Sequence, residues 1–386
     1  MGIENLIQKE LHLEMGAYVK RPFVASRGEG VFLYDTEGNK YIDCVAGHGT
    51  ANLGHCHPKV VEAVSQQLKK LISCPEVFAS DIRLKALEKL IEIVPLQHFF
   101  LCNSGTEAIE GAMKLARTTT KKTGFIAAMN AFHGRTMGAV SLTYNPKYRE
   151  PYNPLIEPVK RVRFGDSEQI RQNIDENTAA VFLECIQGEG GVRTPPTNYL
   201  KEVRETCNEK DVLLVIDEVQ TGFGRTGKMF AYEYFGIKPD IQCMAKSIAG
   251  GLAMGAFASR DDLIFPTLTH GSTFGGNPIA CAGAVAAISA IKEEKMLERA
   301  TENGTYFLQK LKELEKKKAQ IREARGLGLM LALELKVPVK DIITKLVEKR
   351  VLVLPGGMQV LRFLPPLIIE KEQIDEVVVI LDEVLE

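Results

Sequence analysis

Apolar and polar positions follow two different rhythms along this chain. From about 58 to 285, the short apolar runs HFFLC, GFIAAM, AAVFLEC and VLLVID alternate with stretches of helical spacing such as EAIEGAMKLARTT and LKEVRETCNEK. Near-continuous apolar strands separated by amphipathic helices predict an α/β fold, with a large, mostly parallel sheet covered by helices on both faces. After about 290 the texture becomes a charge-rich amphipathic helix, KEEKMLERATENGTYFLQKLKELEKKK, and then the strand-like runs GLMLALEL, VLVLP and VLRFLPP. A smaller α/β domain is expected there. Residues 1 to about 30 read as a short helix and an extended arm, and VFLYDTEGNKYID as two short strands around a turn at Gly38. The expected division is an N-terminal arm with short strands over 1–45, a large domain over 46–288 and a small C-terminal domain over 289–386. No internal repeat or low-complexity linker separates them.

Charge and cysteine usage narrow the function classes. Across 386 residues, 48 basic side chains balance 49 acidic ones, so no basic block is available to neutralise a nucleic-acid backbone. No apolar stretch approaches the roughly 18 residues of a membrane span. The opening MGIENLIQKE interrupts its apolar run with acids, which predicts neither a secretory signal nor a transit peptide. The eight cysteines are scattered singly, and the one H-x-H cluster, His55-Cys56-His57, has no companion at ligand spacing. A cytoplasmic protein with reduced thiols, no metal site, and no nucleic-acid or membrane partner is expected.

Three segments carry residue types suited to chemistry. In HFFLCNSGTEAIEGAMKLAR, Asn103-Ser104-Gly105-Thr106 stand between a strand and a helix, where free N–H groups and the helix dipole favour an anion. The same residues would also suit an ordinary turn with Ser104 or Thr106 as N-cap. In VLLVIDEVQTGFGRTG, Asp217 and Glu218 appear abruptly at the end of a buried strand, the place where ligands collect in open α/β sheets. A carboxylate there can keep a heterocyclic nitrogen protonated, or simply cap the next segment. In KPDIQCMAKSIAGGLAMGAF, Lys246 is delivered among small and apolar residues. A desolvated amine loses basicity and attacks aldehydes, which is Schiff-base chemistry, although a snorkelling lysine would look similar.

The stretch from Gly222 to Gly227 also matches G-x-G-x-x-G, with Asp240 beyond it, so a dehydrogenase must be weighed. The polar DEVQT between strand and glycines argues against a dinucleotide turn. Phe132 and Arg135 in AFHGRTMG, Ser272 and Thr273 in HGSTFGGNP, and Arg362 in LRFLPPL have ligand character only in combination.

Taken together, FFLCNSGTEA, AFHGRT, IQGEGG, IDEVQTGFGRTG, MAKSIAGG, HGSTFGGNP and RFLPPL resemble the class III aminotransferases of the ornithine and acetylornithine type, over essentially the whole chain. The resemblance implies fold type I and pyridoxal 5'-phosphate as cofactor. It makes Lys246 the Schiff-base lysine and Asp217 the partner of the pyridine nitrogen. Gly105, Thr106 and Thr273 would be phosphate ligands, with Thr273 reaching from the partner subunit of a homodimer whose active sites lie at the interface. Phe132 would stack on the ring, with Glu218, Val219 and Gln220 among the further cofactor contacts. Arg135, Ser272, Arg362, Glu189 and Tyr18 would face substrate, Arg362 as carboxylate clamp and Glu189 as its partner in the amino-donor half-reaction.

YIDCVAGHGTANLGH, NPKYREPYNPLIEPV and IREARGLGLMLALELK are most similar to the branch acting on an amino-acid chain held by a small acidic amino-group carrier protein, in lysine or arginine biosynthesis. Free N-acetylornithine fits the same chemistry, with 2-oxoglutarate as amino acceptor. Ornithine or 4-aminobutyrate aminotransferase is the alternative within the family, and a catalytically silent cofactor-binding regulator the alternative outside catalysis. Cys185, where the family usually has Pro, and Ser247, where Gly or Ala is commoner, are departures. Lys20 and Arg21 are candidates for steering an acidic carrier.

Overall fold

The computed structural model describes residues 2–386. Ahead of the main body, helix Ile3–Leu13 buries none of its residues, and strands β1 (Ala25–Glu29), β2 (Phe32–Asp35) and β3 (Lys40–Asp43) follow as an antiparallel meander. Gly38 makes the β2–β3 turn at φ 84°, a backbone conformation that favours glycine.

The large sheet contains β4 (His98–Cys102), β5 (Gly124–Ala128), β6 (Val159–Val162), β7 (Thr178–Glu184), β8 (Leu213–Asp217), β9 (Ile241–Met244) and β10 (Gly255–Ser259). They lie in the order β4-β10-β9-β8-β7-β5-β6, all parallel except β10, which runs antiparallel to both of its neighbours. Every residue of β5, β7, β8, β9 and β10 is buried, as expected of strands covered on both faces. The direction of β10 is not readable from its composition, because GAFAS is apolar whichever way it runs.

The C-terminal region adds a second antiparallel sheet. The helices Pro278–Glu293 and Met296–Lys317 precede it, separated at Lys295, which takes φ 53° and ends the helical run that the sequence suggests is continuous. The strands are β11 (Ile321–Leu327), β12 (Met330–Leu335), β13 (Val351–Leu352), β14 (Leu354–Pro355) and β15 (Val360–Phe363). The sheet order is β11-β12-β15-β14, while β13 leaves it to pair in parallel with β3. The N-terminal strands are thus hydrogen-bonded to the C-terminal part of the chain, a pairing across some 300 residues that local periodicity cannot reveal.

The G-x-G-x-x-G segment packs between these parts. Arg225 is fully buried and donates to the carbonyls of Leu329 (2.9 Å) and Pro365 (2.5 Å) and to Oδ1 of Asn52 (2.5 Å). A Cβ on Gly224 would lie 2.9 Å from Leu367 and one on Gly227 2.3 Å from Thr301, so these glycines admit neighbouring side chains. Asp240 pairs with Arg204 and Arg260. Among the described residues, no helix is long and apolar enough to cross a membrane.

Candidate active site

Parallel register brings the polar strand ends together. Glu184 pairs with Asp217, and Asp217 with Cys243, so β7, β8 and β9 finish at one level of the sheet. Lys246 follows two residues after β9, in a left-handed conformation at φ 52°, and opens a short 3₁₀ turn. A cavity of about 410 Å³ lies over these ends, lined by Lys246, Asp217, Glu184, Phe132, Gly105 and Gln220 among others. Its position at the carboxyl ends of the strands is the usual one for ligands in open α/β sheets.

The charged groups here tune one another. Burial lowers the Lys246 ammonium to about 8; Glu189 and Asp217 oppose that shift, while Arg362 adds to it. Asp217 is 5% exposed; its Oδ1 accepts from the Val219 N–H at 3.0 Å and its Oδ2 meets Nδ1 of His133 at 2.8 Å. A carboxylate only accepts, so Nδ1 carries the donated proton. Burial pulls the His133 pKa down, but the bond to Asp217, the charge of Asp217 and that of Glu184 outweigh it and leave the value raised. Burial raises the Glu184 carboxyl to about 7, with His133 opposing and Asp217 reinforcing the shift. Glu184 also accepts from the backbone N–H groups of Phe132 (3.1 Å) and Gly188 (3.1 Å), tying both cavity-lining segments to the end of β7.

An anion seat closes one end of the cavity. Helix Gly105–Thr120 points its N-terminus into it, and Ser104 is the N-cap, accepting from the Glu107 N–H at 3.2 Å. The first N–H groups of a helix lack intrahelical acceptors, and Gly105 and Thr106 carry theirs at the cavity wall. Thr106 Oγ1 lies 2.7 Å from Thr136 Oγ1. A Cβ on Gly105 would stand 2.6 Å from Cγ1 of Val219, so the wall is already closed there.

Glu189 Oε1, at the cavity wall, and Arg362 Nη2 form an ion pair at 2.7 Å. Arg362 is 1% exposed, its Nε donates to the Pro355 carbonyl at 3.1 Å, and its Nη1 has no partner. Burial raises the Glu189 carboxyl, but the charges of Arg362 and Lys246 prevail and hold it below the ordinary range. Arg135 is exposed, with its guanidinium 4.4 Å from the centre of the Tyr148 ring and 6.0 Å from that of Phe132.

Lys246, Asp217, Gly105, Thr106, Phe132, Val219, Gln220 and Glu189 all line the cavity. Arg362 reaches it through Glu189. Ser272 stands beside the anion seat, accepting from Asn103 Nδ2 at 3.2 Å, whereas Thr273 and Tyr18 are exposed and outside the lining. Glu218 departs from the expected cofactor contact. It is fully buried on the far side, accepting from the Tyr232 N–H (2.9 Å) and from the hydroxyl of Thr221. Consecutive residues at a strand end face opposite ways, so Asp217 and Glu218 cannot both enter the cavity. Cys185 lies in that same buried pocket, its thiol 3.6 Å from Glu218 and pushed far up by burial, which makes it inert packing. Ser247 donates to the Gly49 carbonyl at 3.2 Å, an anchor that Gly or Ala would lack.

Two ionisable residues at the cavity wall carry no motif of their own, His133 and Glu184. His133 sits inside AFHGRT, but a single histidine there gives no sign that it meets a carboxylate 84 positions away. Glu184 carries a usable signal, an acid closing the buried run AAVFLE in the same way that Asp217 closes VLLVID.

The cavity fits the cofactor that the resemblance implies. A lysine amine for the aldehyde, a helix N-terminus for the phosphate and a buried carboxylate for the ring nitrogen are all present. Gln220 Oε1 is buried with no partner in this chain, a free polar group at the cavity wall.

Comparison with known proteins is consistent across the chain. The family described as aminotransferase class-III matches residues 15–385. An acetylornithine aminotransferase of Methanosarcina mazei is 49% identical over 383 residues, covering 99% of this chain and 96% of that protein. A [LysW]-aminoadipate semialdehyde transaminase of Deinococcus radiodurans is 45% identical, covering 97% and 89%. Among solved structures, the ornithine aminotransferase of Toxoplasma gondii superposes with a TM-score of 0.96 at 34% identity, covering 99% of this chain and 94% of that one.

Proposed function

The chain belongs to the class III aminotransferases, enzymes that depend on pyridoxal phosphate, and from that premise we propose that it moves a terminal amino group from an N-acylated ornithine- or lysine-type chain to 2-oxoglutarate, giving a semialdehyde and glutamate. The observation that carries this reading is the Glu189–Arg362 pair at 2.7 Å. A donor reacting at its far end brings no carboxylate next to its amine, so Arg362 must then be neutralised by the protein. A 2-oxo acid brings one, and the planar fork of Arg362 can take it once Glu189 lets go. One cavity thereby serves two unlike substrates.

When bound, the cofactor supplies an electron-poor ring that accepts the electron pair left as the substrate's C–H proton departs. The chain's own groups do the rest. Lys246 would hold the cofactor through its aldehyde carbon, and its amine, lowered to about 8 by burial, would carry the substrate's proton. Asp217 would accept the ring nitrogen's N–H, with His133 fixing the carboxylate's direction. Phe132 and Val219 would flank the ring, Gln220 would meet its phenolic oxygen, and Gly105 and Thr106 would hold the phosphate.

A homodimer completes this reading: Thr273, exposed and outside its own cavity lining, would serve the partner subunit's phosphate seat. Tyr18, on an exposed segment, and Arg135 remain candidates for the substrate entrance. The unpaired cysteines support a cytoplasmic setting.

Both the acetylornithine and the carrier-linked relatives support the substrate class, and the choice between them is a matter of rates. Lys20 does not favour an acidic carrier, because its ammonium is occupied by Glu10 at 2.9 Å and Glu14 at 2.6 Å. The deciding experiment compares glutamate formation from N-acetylornithine with that from a carrier-protein adduct of lysine or ornithine at matched concentrations. Turnover of neither, with turnover of free ornithine or 4-aminobutyrate instead, would refute the proposal.

A further inference from the structure

We infer that Arg325 is the positioning residue of the Glu189 gate, holding the backbone of the loop that carries Glu189 while that side chain releases and recaptures Arg362. The inference rests on the two-substrate reading given above. Three independent observations lead to it.

The first is register. Arg325 on β11 pairs with Ala332 on β12, and Ala332 pairs with Arg362 on β15. Directly paired residues point to the same face of a sheet, so the two arginines stand in one row on one face, with an alanine methyl between them.

The second is the target of each guanidinium. Arg362 holds the side chain of Glu189, whereas Arg325 holds the backbone two residues further on. Its Nη2 donates to the Gly191 carbonyl at 2.7 Å, and its Nε lies 3.1 Å from that oxygen and 3.2 Å from the carbonyl of Val192. Gly191 (φ 99°) and Val192 (φ 51°) both adopt left-handed backbone, which is uncommon for valine and requires surrounding contacts to hold it.

The third is packing. Ile186 and Val192, on either side of Glu189, form a buried cluster with Met330, Ala332 and Val360 of the same small sheet and with Leu364 just after it. The loop is closed on itself by Gln187 and Arg193, whose N–H groups each donate to the other's carbonyl at 3.0 and 3.1 Å. The gate and its clamp therefore ride on one body. Exchange of Glu189 for a substrate carboxylate is a side-chain movement against a fixed loop, and Arg325 is the charged anchor that fixes it.

The test uses Arg325→Gln in the cofactor-loaded enzyme, with Glu323→Gln as control, because Glu323 pairs with Arg325 at 2.6 Å without touching the loop. Amide hydrogen exchange over residues 187–193 should be about tenfold faster in Arg325→Gln, the scale of one lost charge-assisted hydrogen bond, and unchanged in the control. In single-turnover half-reactions followed by cofactor absorbance, the amine-donor rate should fall about tenfold while the 2-oxoglutarate rate stays within about twofold. Adding Arg325→Gln to Glu189→Gln should leave the ratio of the two rates where Glu189→Gln alone puts it.

Unchanged exchange in the loop would overturn the inference whatever the substrate, and so would an equal loss in both half-reactions. If the wild-type enzyme showed no half-reaction with 2-oxoglutarate, the proposed function would fall, and the exchange measurement would still decide the role of Arg325.

Discussion

Nδ1 of His133 lies 2.8 Å from Oδ2 of Asp217, and the His133 side chain is entirely enclosed. Asp217 thus enters the cavity already oriented, one oxygen held by this ring and the other by the Val219 N–H. Replacing His133 with Ala removes a charge-assisted bond worth about 1.5–3 kcal/mol. The turnover number should fall by about tenfold to a hundredfold, with KM for the amine little changed. His133→Asn, which keeps a donor, should recover part of the loss. Steady-state kinetics of both variants decide the matter; a rise in KM alone would place His133 in substrate binding instead.

Lys246 supports a prediction in pH. Its ammonium is lowered by burial to about 8, and only the neutral amine attacks an aldehyde. Capture of pyridoxal phosphate by the cofactor-free protein should therefore accelerate with rising pH through about 8. Between pH 7 and 9 the neutral fraction grows about tenfold for such a group, and the observed rate constant should follow. A midpoint near the ordinary lysine value would show that the amine is solvated.

Gly105 separates cofactor affinity from folding. A Cβ there would approach Val219 Cγ1 to 2.6 Å, and Val219 is a short, branched side chain on a pinned backbone. Gly105→Ala should weaken cofactor binding by about tenfold or more, in keeping with overpacking costs of about 1–3 kcal/mol. Equilibrium dialysis or absorbance titration measures this directly. Unaltered affinity would mean that the wall relaxes.

Arg225 governs stability. Its guanidinium satisfies Leu329, Pro365 and Asn52, which lie in three separate parts of the chain. Arg225→Ala strands these buried acceptors and should destabilise the protein by about 3–5 kcal/mol, while Arg225→Lys should recover only part of it. Chemical denaturation reads the effect. A loss below about 1 kcal/mol would show that water replaces the guanidinium.

How much of this was legible in the sequence depended on distance along the chain. The strands HFFLC, AAVFLE and VLLVID are local patterns and occur in the fold as His98–Cys102, Thr178–Glu184 and Leu213–Asp217. Lys246, Asp217 and the Gly105-Thr106 turn were readable because each abruptly ends an apolar run. The pairing of β3 with β13, the antiparallel β10 and the His133–Asp217 contact were not, since each joins segments that share no local signal. The outward turn of Glu218 was within reach: strand alternation alone sends it away from Asp217's side.

We propose that this aminotransferase carries its cofactor on Lys246. Borohydride reduction of the cofactor-loaded enzyme, followed by peptide mass mapping, tests it most directly. A pyridoxyl group is expected on the peptide containing Lys246, and in Lys246→Ala neither that label nor transamination. A label on a different lysine, or full turnover by Lys246→Ala, would contradict it.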